Sequence, residues 1–585
     1  MCGIAGIMRA DGAAPESGVM DALAGALAHR GPDGNGRYLN GGVGLVHTRL
    51  AIIDLETGDQ PLHEPGGAVL IANGEIYNYI ELRQELAGIN FATGSDCELP
   101  LHLYRRMGVE YTRKLRGMYA IAIHDPEAGK LVLSRDPFGI KPLYYIETGQ
   151  SFAFASEPQA LVRAGLVSPK VDPQARKEML QLQFSTGRGT LYEGVRRVLP
   201  GETLVVVQGR VVERHRLDGL PSGGPVDWSE DEAISRLDAA LEDSVKVHQR
   251  SDVPYGMFLS GGIDSAALLS LMARLNQRPV LAFTAGFPEA GASDERQQAR
   301  RVAHALGARH VEVEFTEADF WSLLPRIAAA MDDPAADYAV LPTYKLAREA
   351  KKDVKVILCG EGGDEMFGGY GRYRSVMRPW WRGGRTVRAR GAFDGLGVLR
   401  EDIAGWRDGI AAAEATESKA GRSRVQIAQA IDFADWLPHD LLTKVDRCLM
   451  AHGVEGRTPF LDPRVAEVAF RLPDELKIHK GLGKWALRRW LARQLPEADA
   501  FGRKHGFTVP VAQWISHHGE RLGPLVAASP GVAELCLPDQ VIKLYRTPGK
   551  RAGFAAWVLL FYALWHRANV LGEPPADDVF ECLAA

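Results

Sequence analysis

The hydrophobic pattern of this chain changes period once, near residue 221, and that change constrains its fold more than any other feature. Before it, short apolar runs are separated by Gly, Pro, Asn and Asp. Val43–His47, Ala68–Ala72, Met118–His124, Lys130–Ser134, Leu143–Ile146 and Leu204–Val207 are examples. Such spacing is a β-meander signature. Helical windows interrupt it at Val19–Ala28, Tyr79–Leu86 and Glu98–Met107, so this part reads as a sheet-rich α+β unit. The cluster Pro221-Ser222-Gly223-Gly224-Pro225 reads as a linker. After it, helix and strand patterns alternate. Helices are expected over Ser229–Arg250, Ala266–Leu275, Asp294–Leu306 and Thr343–Ala350. Strands are expected over Tyr255–Leu259, Val280–Ala285, Val311–Phe315 and Val354–Cys359. This alternation predicts a parallel, doubly wound sheet. Beyond residue 366 helical patterns dominate. The expected organisation is one unit over 1–215, a linker over 216–228 and a second unit over 229–585.

Composition removes several classes. The 585 residues amount to about four domain-equivalents, or two large domains. Hydrophobic residues are 46% and charged residues 24%, as in soluble globular proteins and unlike disordered chains. The 63 glycines suggest many tight turns and ligand-facing loops. Lys+Arg 69 against Asp+Glu 73 gives net charge −4. A dedicated nucleic-acid binder carries a basic excess, so no nucleic-acid partner is expected. The six cysteines are scattered without a C-x-x-C pair, which argues against a zinc or thioredoxin-type site and fits a reducing cytoplasm. No signal-peptide pattern opens the sequence. The apolar run Gly553–Trp565 is too short to span a bilayer and reads as a buried helix, so no membrane partner is expected. The segment Arg378–Arg390 holds five arginines. It reads as a solvated surface, with phosphate contact as the sharper alternative.

Two groups of residues carry chemistry. Cys2 precedes the small Gly3. Removal of Met1 would leave its α-amine, with an ordinary pKa near 7.7–8.0, beside its own thiol as a general base. Asn73-Gly74-Glu75 follows a strand, where an amide side chain next to a Gly N–H can form an oxyanion hole. Arg49 opens an apolar run. Asp96 stands at a helix start, where it could cap the helix or hold an ammonium.

Met1-Cys2-Gly3-Ile4-Ala5-Gly6, the His29-Arg30-Gly31-Pro32-Asp33-Gly34 run, Arg49-Leu50-Ala51-Ile52-Ile53-Asp54 and Asn73-Gly74-Glu75-Ile76-Tyr77-Asn78, in this order, resemble a class II (N-terminal-nucleophile) glutamine amidotransferase domain. The resemblance implies a four-layer αββα sandwich. It implies Cys2 as nucleophile and Asn73 with Gly74 as the oxyanion hole. It further implies glutamine binding by Arg49, Leu50, Ala51, Ile52 and Ile53, with Arg49 on the α-carboxylate and with Glu75 and Asp96 on the α-ammonium.

The second group begins with Leu259-Ser260-Gly261-Gly262-Ile263-Asp264-Ser265, between an expected strand and an expected helix. Glycines there let the backbone approach phosphate oxygens, and the helix start favours anions. The pattern resembles the pyrophosphate loop of N-type ATP pyrophosphatases; no Walker A sequence is present here. Cys359-Gly360-Glu361-Gly362-Gly363-Asp364-Glu365 also follows a strand. Its acidic residues suit Mg²⁺ held with substrate phosphates. Strand-end loops are where open parallel sheets bind ligands.

Together the motifs resemble the glutamine-hydrolysing asparagine synthetase family along essentially the whole chain. The resemblance implies a sandwich followed by an α/β ATP pyrophosphatase-like domain with a helical C-terminal part. It implies Mg²⁺ with ATP as co-substrate, Asp264 and Asp364 as metal ligands, and a phosphate loop lined by Ser260, Gly261, Gly262 and Ser265. Leu259, Ala285, Cys359 and Gly360 would contact the nucleotide. Glu361 would support formation of the acyl-adenylate, and Lys504 would stabilise charge during adenylation. Ammonia made at the first site would cross between domains to the second, where aspartate is the acceptor. The family also suggests a homodimer. The family often reads Ser-Gly-Glu-Gly-Ser-Asp-Glu and Glu-Ala-Arg-Val-Pro, where this chain has Cys359–Glu365 and Glu455-Gly456-Arg457-Thr458-Pro459. The acceptor pocket is not assigned by these motifs. Rival readings keep the chemistry with a peptide or sugar-linked carboxylate as acceptor, cyclise a β-lactam without glutamine, or retain the fold without catalysis.

Overall fold

A computed structural model describes residues 2–288, 295–378, 381, 387–401, 403–502 and 509–584. Two six-stranded antiparallel sheets form the first half. The strands are β1 (Gly3–Arg9), β2 (Gly34–Asn40), β3 (Val43–Arg49), β4 (Leu62–His63), β5 (Val69–Ile76), β6 (Gly117–Asp125), β7 (Lys130–Arg135), β8 (Tyr144–Glu147), β9 (Ser151–Ala155), β10 (Arg196–Arg197), β11 (Glu202–Val207) and β12 (Arg210–Arg216). One sheet runs β10-β8-β9-β1-β3-β2, the other β12-β11-β7-β6-β5-β4.

Side-chain alternation decides how they stack. On β1, Ile4 and Met8 point to the opposing sheet, where they meet Ile71, Ala120 and Leu133. Ala5 and Ile7 face the other way, onto Met20, Leu23 and Leu27 of helix α1 (Ser17–Leu27). On β6, Ala120 and Ala122 face inward, whereas Tyr119, Ile121 and Ile123 pack under helices α2 (Tyr79–Glu85) and α3 (Leu99–Met107). Helices α4 (Pro158–Arg163) and α5 (Pro173–Leu182) extend the cover of the first sheet. The result is the expected four-layer αββα sandwich. Gly6 sits where the neighbouring strands of its own sheet crowd it: a Cβ there would lie 2.7 Å from the Gly44 carbonyl.

The second half opens with α6 (Glu230–His248), capped by Ser229, whose side chain accepts the Glu232 N–H. It is built on a parallel sheet of β13 (Tyr255–Phe258), β14 (Leu281–Gly286), β15 (Arg309–Glu314), β16 (Val356–Leu358) and β17 (Glu455–Arg457), in the order β15-β14-β13-β16-β17. Helices α7 (Ile263–Leu275), α8 (Arg296–Ala305), α9 (Glu317–Ala330) and α10 (Val340–Ala350) make the crossovers. The order reverses between β13 and β16, which pair with Tyr255 opposite Val356 and Met257 opposite Leu358. The loops leaving these strands therefore meet at the switch point of the sheet. The expected doubly wound sheet is present. The helix expected from Asp294 begins at Arg296, and Asp294 itself lies outside the described residues.

Helices follow β16, as expected. The run Gly553–Trp565 lies within the helix Lys550–Asn569, which is buried on nearly every face. Among the described residues no helix is long and apolar enough to cross a membrane. Of the Arg-rich segment, Pro379, Trp380 and 382–386 lie outside the described residues.

Candidate functional site

The two chemical groups of the sequence become two centres. The first lies at the end of β1. Cys2 is buried, and its N–H donates to Asn73 Oδ1 at 3.0 Å. Asn73 is fully buried on β5, and its Nδ2 has no hydrogen-bond partner among the described residues. A donor left unmet beside a thiol is what an oxyanion requires. Gly74 is held against β6 so closely that a Cβ would fall 2.1 Å from the Met118 carbonyl. Burial raises the Cys2 thiol above its ordinary pKa, opposed in part by a hydrogen bond from the backbone of Leu50. The thiol therefore needs a base to become a nucleophile.

The glutamine-binding candidates surround it unevenly. Arg49 Nη1 pairs with Asp59 Oδ1 at 2.8 Å, and Asp59 itself is largely exposed. The Arg49 guanidinium also donates to the Asp54 carbonyl. Leu50 and Ile52 send their side chains into the core, against Phe138 and Ile234; only their backbone can face a ligand. Ala51 and Ile53 are half-buried, with the Ala51 N–H donating to Asp33 Oδ2 at 2.9 Å. Asp96 is not a cap. Ser95 takes that role by accepting the Cys97 N–H, and Asp96 Oδ2 instead accepts the Ile76 N–H at 2.6 Å. Burial pushes the Asp96 carboxyl up to about 6. Burial, Glu455 and Asp96 together raise Glu75 well above the carboxylate range.

Three residues that sequence reasoning passed over complete this centre. Arg30, fully buried, donates from Nε to the Cys2 carbonyl at 3.2 Å, from Nη1 to Glu157 at 2.7 Å, and from both Nη atoms to Asp446. Glu455 and Arg457 arrive from β17 of the second half: Arg457 Nε meets Glu455 Oε1 at 2.6 Å, and its Nη2 stands 3.4 Å from Glu75 Oε2. Arg30 was visible in its motif only as a turn residue. The reach of β17 into this centre leaves no local signal, because it depends on a contact between residues far apart in the chain.

The second centre is at the sheet's switch point. Ser260 Oγ and Ser265 Oγ lie 3.0 Å apart; Ser265 donates to the Gly262 carbonyl, and the Gly262 N–H donates to Ser260 Oγ at 3.1 Å. These bonds fix the loop around the start of α7. The Gly261 N–H reaches Glu295 at 3.4 Å. Leu259, Ala285 and Cys359 are buried at the C-terminal ends of β13, β14 and β16, and the Cys359 N–H donates to the Arg457 carbonyl at 2.8 Å. Gly360 packs on the first loop: a Cβ there would lie 3.3 Å from that of Asp264. Glu361 stands 3.8 Å from Lys444 Nζ. Lys504 lies outside the described residues.

Asp264 and Asp364 converge on one cation, the ammonium of Lys484, which bridges Asp264 Oδ2 and, at 2.7 Å, Asp364 Oδ1. A Cβ on Gly363 would sit 2.7 Å from the Asp264 carboxyl, and one on Gly369 1.9 Å from Asp364 Oδ1. The cradle is shaped around two carboxylates. Among the described residues no cluster of three or more metal-ligating side chains occurs. Two carboxylates with further oxygens from phosphates and water are a donor set suited to Mg²⁺. Lys484 carried no motif, so sequence reasoning missed it.

Comparison with known proteins fits both centres. A family described as asparagine synthase matches residues 236–567, and a glutamine amidotransferase domain matches 1–216. The chain is 34% identical to asparagine synthetase [glutamine-hydrolyzing] 1 of Bacillus subtilis, over 95% of each chain. It is 30% identical to asparagine synthetase B [glutamine-hydrolyzing] of Escherichia coli, over 84% of this chain and 78% of that one.

Proposed function

This chain belongs to the asparagine synthase family, and from that premise we propose that it makes asparagine from aspartate, glutamine and ATP, releasing glutamate, AMP and pyrophosphate. The observation that carries the reading is the coexistence, on one chain, of Cys2 beside the unmet Asn73 amide and of two carboxylates converging at a phosphate-type loop. We divide the chain into a glutaminase domain over 1–215, a linker over 216–228 and a synthetase domain over 229–585. The end of β12 at Arg216 and the start of α6 at Glu230 support that division.

At the first centre the Cys2 α-amine, once Met1 is removed, takes the thiol proton. The thiolate attacks the glutamine side-chain carbonyl carbon. The resulting oxyanion accepts from Asn73 Nδ2 and the Gly74 N–H, the arrangement that stabilises charge where it develops. The α-ammonium returns its proton to the leaving nitrogen, ammonia departs, and a glutamyl thioester remains for water to hydrolyse. Ionised Asp96 holds the substrate ammonium, and Glu75 offers an oxygen beside it to accept a further hydrogen bond. Arg49 takes its carboxylate by exchanging the exposed Asp59 for it.

At the second centre the side-chain carboxylate of aspartate attacks the α-phosphorus of ATP, and pyrophosphate leaves. Ammonia then displaces AMP from the acyl-adenylate. Asp264 and Asp364 would hold Mg²⁺, which when bound would neutralise charge on the leaving phosphates. Ser260, Gly261, Gly262 and Ser265 present loop donors to the pyrophosphate. Leu259, Ala285, Cys359 and Gly360 flank the nucleotide. Lys484 supplies fixed positive charge between the two carboxylates, and Lys504 adds charge during adenylation. Glu361, at the mouth of the loop, accepts the proton that ammonia loses on attack. A cytoplasmic homodimer is the setting the family likeness suggests, and light scattering measures the assembly.

The test is incubation of the protein with Mg-ATP and glutamine, with and without aspartate. Asparagine, AMP and pyrophosphate in equal amounts, only with aspartate, are expected. Glutamate without pyrophosphate would leave the first centre standing and exclude aspartate as acceptor.

A further inference from the structure

A cavity of about 730 Å³ lies between the two halves and shares no lining residue with either centre. Its walls come from α5 and the segment 186–189 of the first half. The second half supplies the helix Asp408–Glu417 and the stretch Asp432–Leu441. That last stretch winds as a π-helix, a rare form that collects at functional sites. Ala175, Leu199, Pro200, Ala412 and Ala413 make much of the wall apolar. A space of this size, at a seam, with apolar walls and few polar groups, is the usual shape of a small-molecule site.

Asp435 is the polar group that the fold leaves unfinished there. It is 4% exposed, and its Oδ1 accepts the Gly187 N–H at 2.7 Å, a bond between the halves. Its Oδ2 accepts no hydrogen bond among the described residues, yet it is not sealed from the cavity that the residue lines. A carboxylate oxygen taken from bulk water without a donor is disfavoured. Burial accordingly pushes the Asp435 carboxyl up to about 7.

Its neighbours do not relieve it. His439 Nε2, 3.9 Å from Oδ1, is held neutral by burial. Arg197 is committed to Asp333 at 2.7 Å, and Arg388 lies 3.9 Å from the Trp436 ring centroid. Glu178 is fully engaged by the Thr186 N–H at 2.6 Å, the Thr186 hydroxyl at 2.8 Å and the Gln174 amide at 3.1 Å, so it adds negative field only. Asp172 and Asp408 bring further carboxylates to the walls. The basic wall residue, Arg216, is exposed and pairs with Asp218 at 3.3 Å. A negative end on an apolar chamber fits a cation that carries hydrocarbon. A bare metal ion fits poorly, because no metal-holding cluster of three or more side chains occurs among the described residues.

We propose that this cavity binds an organic ammonium ion of small-metabolite size, its cationic head donating to Asp435 Oδ2 and its apolar body lying against Leu199, Pro200 and Ala412. The occupant touches both halves. It rests on the stretch that runs into the helix Leu442–Met450, whose Asp446 holds Arg30 and whose Lys444 stands 3.8 Å from Glu361. The site is distinct from both reaction centres and does not depend on which carboxylate is the acceptor.

The test titrates n-hexylammonium chloride into the full chain at pH 8, followed by isothermal titration calorimetry. Sodium hexanoate and 1-hexanol are the chain-matched controls. One saturable site is expected for the ammonium and none for either control. Asp435→Asn keeps the side-chain shape and the acceptor for Gly187 but removes the charge, and affinity should fall by about tenfold or more. Ala412→Trp fills the chamber from its wall and should block binding with Asp435 intact. Glutamine hydrolysis reports that each variant is folded. No saturable binding of the ammonium to wild type, equal binding of hexanol, or an affinity unchanged in either variant would overturn the site.

Discussion

Arg30 and Asp446, 416 residues apart in sequence, form a two-pronged ion pair in the interior: Nη1 to Oδ2 at 2.8 Å and Nη2 to Oδ1 at 3.0 Å. The same guanidinium holds the Cys2 carbonyl. Cys2 and the strand β1 that follows it are thereby braced on the helix Leu442–Met450 of the other half.

Arg30→Met should therefore do more than loosen a surface contact. It leaves Asp446 and Glu157 short of a buried cation, a change that typically destabilises by about 3–5 kcal/mol. Differential scanning calorimetry should show a lower Tm, and glutamine hydrolysis should slow because Cys2 loses its backbone support. A Tm unchanged from wild type would contradict the bracing role.

Cys2→Ala should abolish glutamine-dependent asparagine formation, by at least about a thousandfold, while synthesis from added ammonium salt survives. Loss of both with an unchanged melting profile would count against two separable centres.

Glutamine use should fall off in acid. Asp96 must be ionised to hold an ammonium, and burial has pushed its carboxyl from 3.8 to about 6. On top of the decline set by protonation of the Cys2 α-amine, kcat/KM for glutamine should lose about a further tenfold per pH unit below that value, and this added loss is the part due to Asp96. Stability runs the other way. Between about pH 4 and pH 6 the folded chain keeps a proton that the unfolded chain has lost, so the contribution of Asp96 weakens as pH rises through that window. The loss reaches on the order of 3 kcal/mol and is then constant. Asp96→Asn should remove both effects, raising Tm at pH 8 while weakening glutamine binding. Parallel pH profiles of wild type and variant decide it.

Gly369→Ala tests the second cradle. The new Cβ would lie 1.9 Å from Asp364 Oδ1 and 2.3 Å from Lys484 Cε, so the carboxylate must move. AMP formation should drop by about a hundredfold or more with glutamine hydrolysis retained. Normal AMP formation would mean that the position of Asp364 is not critical.

Much of this was legible in the sequence, for identifiable reasons. The parallel sheet announced itself because its strands are short apolar runs between helical periods. The motifs picked out Cys2 and Asn73, which the structure brings side by side, and Asp264 and Asp364, which lie at the Gly-rich loops after β13 and β16 and meet at Lys484. β1 escaped the strand pattern: Ile4, Ala5, Ile7 and Met8 are buried on both faces, so no polar alternation marks it. Asp96 looked like a cap because a cap and a ligand carboxylate share the same local sequence, and only the fold brings Ile76 to it. Lys484, Glu455 and Arg457 act at centres assembled from distant segments. Nothing within a short window of sequence records such a meeting.

The ion pairs that cross between the halves extend well beyond Arg30. Arg116 meets Asp462 at 2.7 Å, Arg197 meets Asp333 at 2.7 Å, and Arg250 meets Glu81 at 2.6 Å. Against this, the segment 217–228 is a thin, partly exposed tether. The chain is in effect a heterodimer translated as one piece. Its peptide connection guarantees a one-to-one ratio of the two parts, while cross-half ion pairs and shared apolar clusters join them. A single proteolytic nick in the tether would leave both fragments bound as a pair. A glutaminase half transplanted from a relative would need its matching partner surface to come with it.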